Sequence, residues 1–183
     1  MKKRLLLSVI LLLAGCATPP PQVFTLQADS PFAFNGRVAF KQGDKRESAG
    51  VRWEHQATKD EILLLAPLGQ TVARIHRDDL EVLLEASGKR YLAHDMESLM
   101  QQVLGWQLPL SGLRYWVIGL PDPGSESSVE RAPNGQIRVL RQQGWEIRYT
   151  SYAAETPDAL PLRLSLQHDG IGVQLLIDGW ELQ

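Results

Sequence analysis

An alternation of apolar and polar residues with a period of two runs through most of this chain. In the stretch 34–41, every second residue from Phe34 to Phe40 is apolar or small, which is typical of a strand with one buried face. The period recurs in 49–54, 62–66, 71–76, 80–85, 89–93, 127–131, 136–142, 145–151, 162–167 and 171–180. About eleven strands in such close succession predict a consecutive antiparallel meander.

One helical insertion interrupts this period. Asp95 can cap a helix whose apolar residues follow at helical spacing as far as Leu104, and Gly105 can end it. A second helix is predicted from Leu110 to Ile118. The rest of the chain between the insertion and its C-terminus returns to the strand pattern.

A sheet of about eleven antiparallel strands must curl, close or split, because the twist of its strands accumulates. We therefore predict a mainly β fold with a helical insertion. The sheet is expected to form an incomplete, open antiparallel β-barrel that is capped by short α-helices and encloses an apolar cavity. Residues 32–183 have the length of a single domain with one core.

The N-terminus has the layout of an export signal. Three basic residues, at positions 2 to 4, precede the apolar run Leu5–Leu13. This run is about half of the roughly 20 residues that a transmembrane helix needs, so residues 1–15 are predicted to be a cleaved signal peptide. The composition of residues 16–31, which include four prolines, favours an extended tether.

Cys16 stands where the signal would be cut. The stretch Leu13 to Cys16 resembles the lipobox, the site at which bacterial lipoprotein precursors are acylated and cleaved. The alternative is a free thiol beside an ordinary cleavage site, since Cys16 is the one cysteine of the chain. Ala17 replaces the aspartate that usually retains lipoproteins in the inner membrane, which favours the outer membrane, facing the periplasm.

The charge of the chain argues against a nucleic-acid partner. The formal net charge is −2, and removal of residues 1–15 takes away three basic residues and no acidic one, leaving −5. A surface that binds phosphates needs clustered lysine and arginine, which this sequence lacks. We therefore exclude nucleic acid as a ligand.

The sequence contains no pattern that indicates catalysis, a cofactor or a metal. Its four histidines are scattered, and we interpret them as surface or strand-edge residues. Nucleophile-elbow, Walker and dinucleotide glycine patterns are absent. The aspartates and glutamates are interpreted as solubilising residues on outward strand faces, although carboxylates that meet only in space could still form a hydrolase site.

Large apolar residues are the most prominent feature of the predicted strands and helices. The simplest interpretation is an ordinary core, but the same residues could line an apolar cavity. The candidates are Trp53, Leu63, Leu65, Ile75, Leu84, Met100, Trp106, Trp116, Trp145, Leu164 and Val173.

An apolar residue occupies a predicted turn. Pro67, Leu68 and Gly69 join two strong strands, and polar residues are usual at such a place. Leu68 could fold back onto the rim of the barrel, or it could project and enter lipid. The residues alone leave both possibilities open.

Considered together, these motifs resemble the LolB family of outer-membrane lipoprotein receptors. The resemblance covers about residue 34 to the C-terminus, and each motif alone is unspecific. It rests on Gly36, Arg37, Trp53, Pro67, Leu68, Gly69, Gly105, Trp106, Leu108, Pro109, Leu113, Trp116, Gly119, Leu120, Pro121, Gly144, Trp145, Ile147, Tyr149, Leu160, Pro161, Arg163 and Trp180.

The resemblance implies a function without catalysis or ATP. The protein would accept acylated lipoproteins from the soluble periplasmic carrier LolA and insert them into the outer-membrane bilayer. The apolar candidates would bind acyl chains, Leu68 would enter the membrane, and Cys16 would carry the lipid anchor of a monomeric protein. One alternative is a lipid-anchored envelope scaffold with a packed core, and another is the hydrolase.

Overall fold

The computed structural model describes residues 30–104 and 110–182. The predicted signal peptide, Cys16, most of the tether and Trp106 lie outside the described residues. The strands are β1 Phe32–Gln42, β2 Lys45–Gln56, β3 Lys59–Leu65, β4 Thr71–Arg77, β5 Val82–Ala86, β6 Lys89–Ala93, β7 Ser127–Arg131, β8 Ile137–Gln142, β9 Trp145–Tyr152, β10 Pro161–His168 and β11 Ile171–Leu182, and the helices are α1 Met96–Leu104 and α2 Leu110–Val117.

The strands form one eleven-stranded antiparallel sheet with the order β6-β5-β4-β3-β2-β1-β11-β10-β9-β8-β7. The predicted open, mainly β fold is therefore confirmed. The single consecutive meander is wrong in one respect: the first and last strands pair at the centre of the sheet, along Phe32–Gln42 and Ile171–Leu182. The sheet is consequently two meanders, and β6 and β7 are its two edges.

Every connection between neighbouring strands places its turn at one of two ends of the sheet. The turns after β1, β3, β5, β8 and β10 lie at the end that carries Leu68, which we call the Leu68 end. The chain leaves β6 at the opposite end, which we call the Asp95 end. The loop with Leu68 and the start of α1 are thus at opposite ends of the strands.

The inner face of the sheet is built from residues that stand opposite one another on neighbouring strands. One row runs from Trp180 through Phe34, Trp53, Ile62, Ile75 and Leu84. Because side chains in a strand alternate between faces, this register places the apolar set of every strand on the same side. The core lies between this face and the two helices.

The pairing of the two central strands is irregular beside Gly36, where Asp178 of β11 has no opposite residue on β1. The register of β1 against β11 shifts between Asn35 and Gly36. A Cβ atom at Gly36 would lie 2.2 Å from the carbonyl oxygen of Leu176, so only glycine allows the two backbones to approach in this way.

The two helices begin and end close to where the sequence predicts. Asp95 caps α1, because its Oδ1 accepts a hydrogen bond of 2.7 Å from the backbone N–H of Ser98. This hydrogen bond also lowers the pKa of the Asp95 carboxyl. In the described part of the chain, neither helix has the length and apolar character needed to cross a membrane.

Candidate functional site

The concave face of the sheet, together with the inner sides of α1 and α2, forms the candidate site. Most of the candidate residues meet here in one buried cluster, so the structure brings them together as the sequence pattern implies. The members of this cluster are Trp53, Ile75, Leu84, Met100, Trp116, Trp145, Leu164 and Val173.

Leu63 and Leu65 do not belong to this cluster, and their assignment to the inner face is wrong. Leu63 stands opposite Arg52 and Arg74 on the outer face, whereas its neighbour Leu64 packs against the core. The sequence could not decide this point, because 62–65 is an uninterrupted run of isoleucine and leucine. The register is set instead by Ile62, which pairs with Trp53.

The space beneath the helices is largely filled. Leu99 of α1 and Trp116 of α2 are completely buried against the sheet. The indole Nε1 of Trp116 donates a hydrogen bond of 2.8 Å to Oε1 of Gln142, and Tyr149 Oη donates one of 2.8 Å to the backbone carbonyl of Trp116. An enclosed apolar cavity is therefore not confirmed within residues 30–104 and 110–182.

Beyond the helices, the concave face carries a strip of apolar residues that are only partly buried. These residues lie in the halves of their strands nearer the Leu68 end, and none of them was among the candidates predicted from the sequence. The strip consists of Val38, Phe40, Leu64, Ala73 and Ala86. It offers an apolar surface that continues from the buried core toward solvent.

Leu68 projects from a tight turn at the same end of the sheet. The backbone N–H of Gly69 donates to the carbonyl of Ala66 at 2.8 Å, and the N–H of Ala66 donates to the carbonyl of Gln70 at 2.8 Å. Gly69 has a φ of 84°, which closes the turn. The side chain of Leu68 is 86% exposed, so it does not fold back onto the rim.

A cluster of buried charged residues lies on the inner face, toward the Asp95 end. The sequence analysis did not predict this cluster. Oδ1 of Asp60 accepts a hydrogen bond of 2.9 Å from Trp53 Nε1 and contacts Nδ1 of His55 at 2.6 Å, and its Oδ2 accepts one from Arg77 Nε. The interpretation of the histidines as surface residues is wrong for His55, which is 1% exposed. The outward placement of carboxylates is likewise wrong for Asp60.

These contacts decide the charge state of Asp60. Burial alone would raise the pKa of the Asp60 carboxyl, but the hydrogen bonds from His55 and Trp53 and the charge of the neighbouring groups lower it overall. Asp60 is thus ionised, and both of its carboxylate oxygens have hydrogen-bond partners.

Among the described residues, no group of three histidine, cysteine, aspartate or glutamate side chains could hold a metal ion.

Comparison with known sequences identifies close relatives. A family model described as outer membrane lipoprotein LolB matches residues 30–180. The outer-membrane lipoprotein LolB of Chromobacterium violaceum is 42% identical over 185 residues, which covers 99% of each chain. That of Nitrosomonas europaea is 37% identical over 191 residues and covers 96% of this chain and 90% of the relative.

Comparison with solved structures supports the fold alone, because the identities are very low. A LolA superfamily protein from Nitrosomonas europaea aligns with a TM-score of 0.50 and 8% identity over 88% of this chain and 90% of that chain. A DUF1329 family protein from Desulfovibrio piger aligns with a TM-score of 0.57 and 5% identity over 88% of each. With a family model over most of its length and relatives that match nearly all of it, this chain belongs to the LolB family of outer-membrane lipoproteins.

Proposed function

We propose that this protein accepts acylated lipoproteins from the periplasmic carrier LolA and inserts them into the inner leaflet of the outer membrane. The observation that best supports this function is the continuous apolar concave face, which runs from the core beneath the helices to the partly exposed strip at the Leu68 end. The acyl chains of the cargo lie on this face. The protein performs no covalent chemistry.

The energetics of the cargo explain why a receptor of this kind is needed. Each buried CH₂ group contributes about 0.8 kcal/mol, so two or three long acyl chains exposed to water would cost tens of kcal/mol. The chains must therefore pass from one apolar surface directly to the next. The sequence has no Walker or dinucleotide glycine pattern, and in this proposal the direction comes from relative affinity, which increases from the carrier to this protein and then to the bilayer.

The N-terminal part of the chain supplies the location. Residues 1–15 act as the export signal, and Cys16 carries the acyl chains that hold the protein on the outer membrane, facing the periplasm. A single acyl chain gives only marginal membrane binding, whereas several give stable anchoring. The tether, residues 16–31, then separates the domain, residues 32–183, from the bilayer. The protein acts as a monomer.

The cargo enters by displacement of α1 and α2. Both helices cover the concave face, and the filled core beneath them leaves room for acyl chains only when they move aside. Trp116 connects this cover to the second meander through its hydrogen bonds with Gln142 and Tyr149. The same filled core is also what the scaffold alternative requires, so the two functions must be separated by experiment.

Leu68 brings the receptor to the bilayer. The exposed side chain of Leu68 and the partly exposed strip lie at the same end of the sheet. Acyl chains bound on the strip therefore lie near the point where Leu68 enters the membrane. An exposed leucine at the tip of a rigid turn can enter lipid without unfolding.

The test is a transfer experiment in solution. LolA is loaded with a radiolabelled lipoprotein and mixed with the chain from residue 16 onward that carries Cys16→Ser, and the two proteins are separated by affinity capture. We expect the label to elute with this protein. Label that stays entirely on LolA, with the receptor shown to be folded by circular dichroism, would favour the scaffold, and cleavage of the cargo would favour the hydrolase.

A further inference from the structure

A shallow depression lies on the outer face of the sheet, near the Leu68 end, across the four neighbouring strands β2, β1, β11 and β10. Its volume is about 420 Å³. The smallest side chains around it are those of Ala39 and Gly172, on the two middle strands, so the sheet is indented there. Because successive side chains of a strand point to opposite faces, the sheet itself separates this depression from the apolar concave face.

The side chains around this depression are suited to an anion. Lys41 of β1 and Arg46 of β2 stand directly opposite each other on the outer face. The other polar side chains of this face around the depression are those of Ser48, Ser165, Gln167 and Gln174. Glu47 follows Arg46 in the chain, but it stands opposite Phe40 and therefore belongs to the concave face.

The pair of Lys41 and Arg46 has no compensating charge. Like charges that stand directly opposite each other destabilise an antiparallel pair of strands. Neither residue makes an ion pair within the described part of the chain. Three other arginines of the outer face do contact carboxylates: Arg37 at 2.9 Å, Arg52 at 2.8 Å and Arg141 at 2.6 Å. The pair therefore does not serve the fold, which indicates a role in binding an anion.

This cation pair lies beside the turn that carries Leu68. The last residues that pair between β2 and β3 are Gly50 and Leu65, so residues 45–49 of β2 continue alongside the turn 66–70. At about 3.4 Å per residue, this part of the β1–β2 hairpin is about 17 Å long and reaches at least as far as the tip of the turn. A bilayer that receives Leu68 therefore meets the β1–β2 hairpin as well.

We propose that Lys41 and Arg46 bind the phosphate groups of anionic lipids in the bilayer that receives Leu68. This inference rests on the membrane contact in the proposed function and adds a polar site beside an apolar one. The chain from residue 16 onward has a formal net charge of −5, so an anionic bilayer repels the protein as a whole. The cation pair offsets this repulsion at the contact and determines which end of the domain faces the lipid.

The test measures binding of the chain from residue 16 onward, carrying Cys16→Ser, to vesicles of phosphatidylcholine with one quarter phosphatidylglycerol. One double variant combines Lys41→Gln with Arg46→Gln, and the control combines Lys59→Gln with Arg138→Gln. Each removes one lysine and one arginine that are exposed and make no ion pair among the described residues, but Lys59 and Arg138 lie near the Asp95 end. A cation at an anionic membrane strengthens binding about fivefold, so we expect the Lys41 and Arg46 variant to bind about twentyfold more weakly and the control to stay within about twofold of the unaltered protein.

Both double variants should keep the urea-unfolding midpoint of the unaltered protein, because all four residues are exposed. Equal weakening of vesicle binding in the two double variants, or no weakening in either, would overturn the site and leave acceptance of lipoproteins from LolA standing. No vesicle binding by the unaltered protein would overturn the site together with the membrane contact of Leu68.

Two further outcomes would assign this surface to another ligand and overturn the proposal. In the first, the Lys41 and Arg46 variant loses acceptance of lipoproteins from LolA while its vesicle binding is intact, which identifies a protein partner. In the second, millimolar inorganic phosphate at constant ionic strength releases the unaltered protein from the vesicles, which identifies a free anion as the ligand.

Discussion

At the scale of single residues, two side chains of the described part of the chain stand out: the buried, ionised carboxylate of Asp60 and the leucine at position 68, which is 86% exposed. Asp60 is stable inside because three donors, on Trp53, His55 and Arg77, surround it. Leu68 is exposed because its turn is closed by backbone hydrogen bonds that leave the side chain no surface to pack on. Asp60 contributes to stability, whereas Leu68 is assigned a functional role.

We predict that Asp60→Asn lowers the free energy of unfolding by about 3 kcal/mol at neutral pH, because it leaves Arg77 without its charged partner. The native pKa of Asp60 is lowered, so its stabilising effect is complete above the pKa of an unfolded aspartate, about 3.9, and is lost as pH falls through the native value. The difference in unfolding free energy between the unaltered protein and the Asp60→Asn variant, measured by urea unfolding, should therefore become smaller in acid. The exposed substitution Asp44→Asn is the control; a difference that is constant with pH would contradict the account.

We predict that Leu68→Glu abolishes delivery of lipoproteins to liposomes and leaves acceptance from LolA intact, because a charged side chain at the tip opposes entry into lipid. Leu80 offers a matched control, since it is 80% exposed but lies in a turn at the Asp95 end. Leu80→Glu should deliver at the normal rate. Normal delivery by Leu68→Glu, measured with a radiolabelled cargo, would show that the exposed leucine has no membrane role.

At the scale of strands and helices, the local pattern predicts the elements well and their long-range relations poorly. All eleven strands and both helices lie within a few residues of the predicted positions. The pairing of β1 with β11 joins the two ends of the domain, and no local period contains that information. The run 62–65 also lacks the polar residues that would show which side faces inward.

The polar part of the site was missed for a similar reason. His55 and Asp60 stand on neighbouring strands, and their partnership depends on the register that places them opposite each other. From sequence, each is an unremarkable polar residue in a half-buried strand. The apolar core, by contrast, could be predicted from the sequence, because the alternation of apolar and polar residues in each strand shows which of its side chains are buried.

Tyr149 provides a test of the helical cover. Tyr149→Phe removes the hydrogen bond to the carbonyl of Trp116 and should cost about 1 kcal/mol of stability. If α1 and α2 must move for acyl chains to enter, the same substitution should accelerate uptake of an apolar fluorescent dye in stopped-flow measurements. Tyr152→Phe is the control, because Tyr152 Oη donates at 2.6 Å to Ile137 within the sheet. Equal uptake rates for the two variants would argue against a moving cover.

At the scale of the whole molecule, the open sheet places a polar pocket and an exposed apolar surface at opposite ends of its strands. The Asp95 end carries the polar pocket and the start of the helices, and the Leu68 end carries the exposed leucine and the apolar strip. Because the strands run between these ends, an acyl chain on the concave face lies between the two. In the proposed function, this arrangement would let the protein hold the cargo and contact the bilayer at the same time.

The most direct test of this account is to ask which face of the sheet touches the cargo. A photoreactive amino acid is placed either at Leu64, which packs against the core on the concave side, or at its neighbour Leu63 on the outer face, and each protein receives a lipoprotein with radiolabelled acyl chains from LolA. The account predicts that irradiation links the label to position 64 and not to position 63. Equal labelling of both positions, or labelling of position 63 alone, would contradict it.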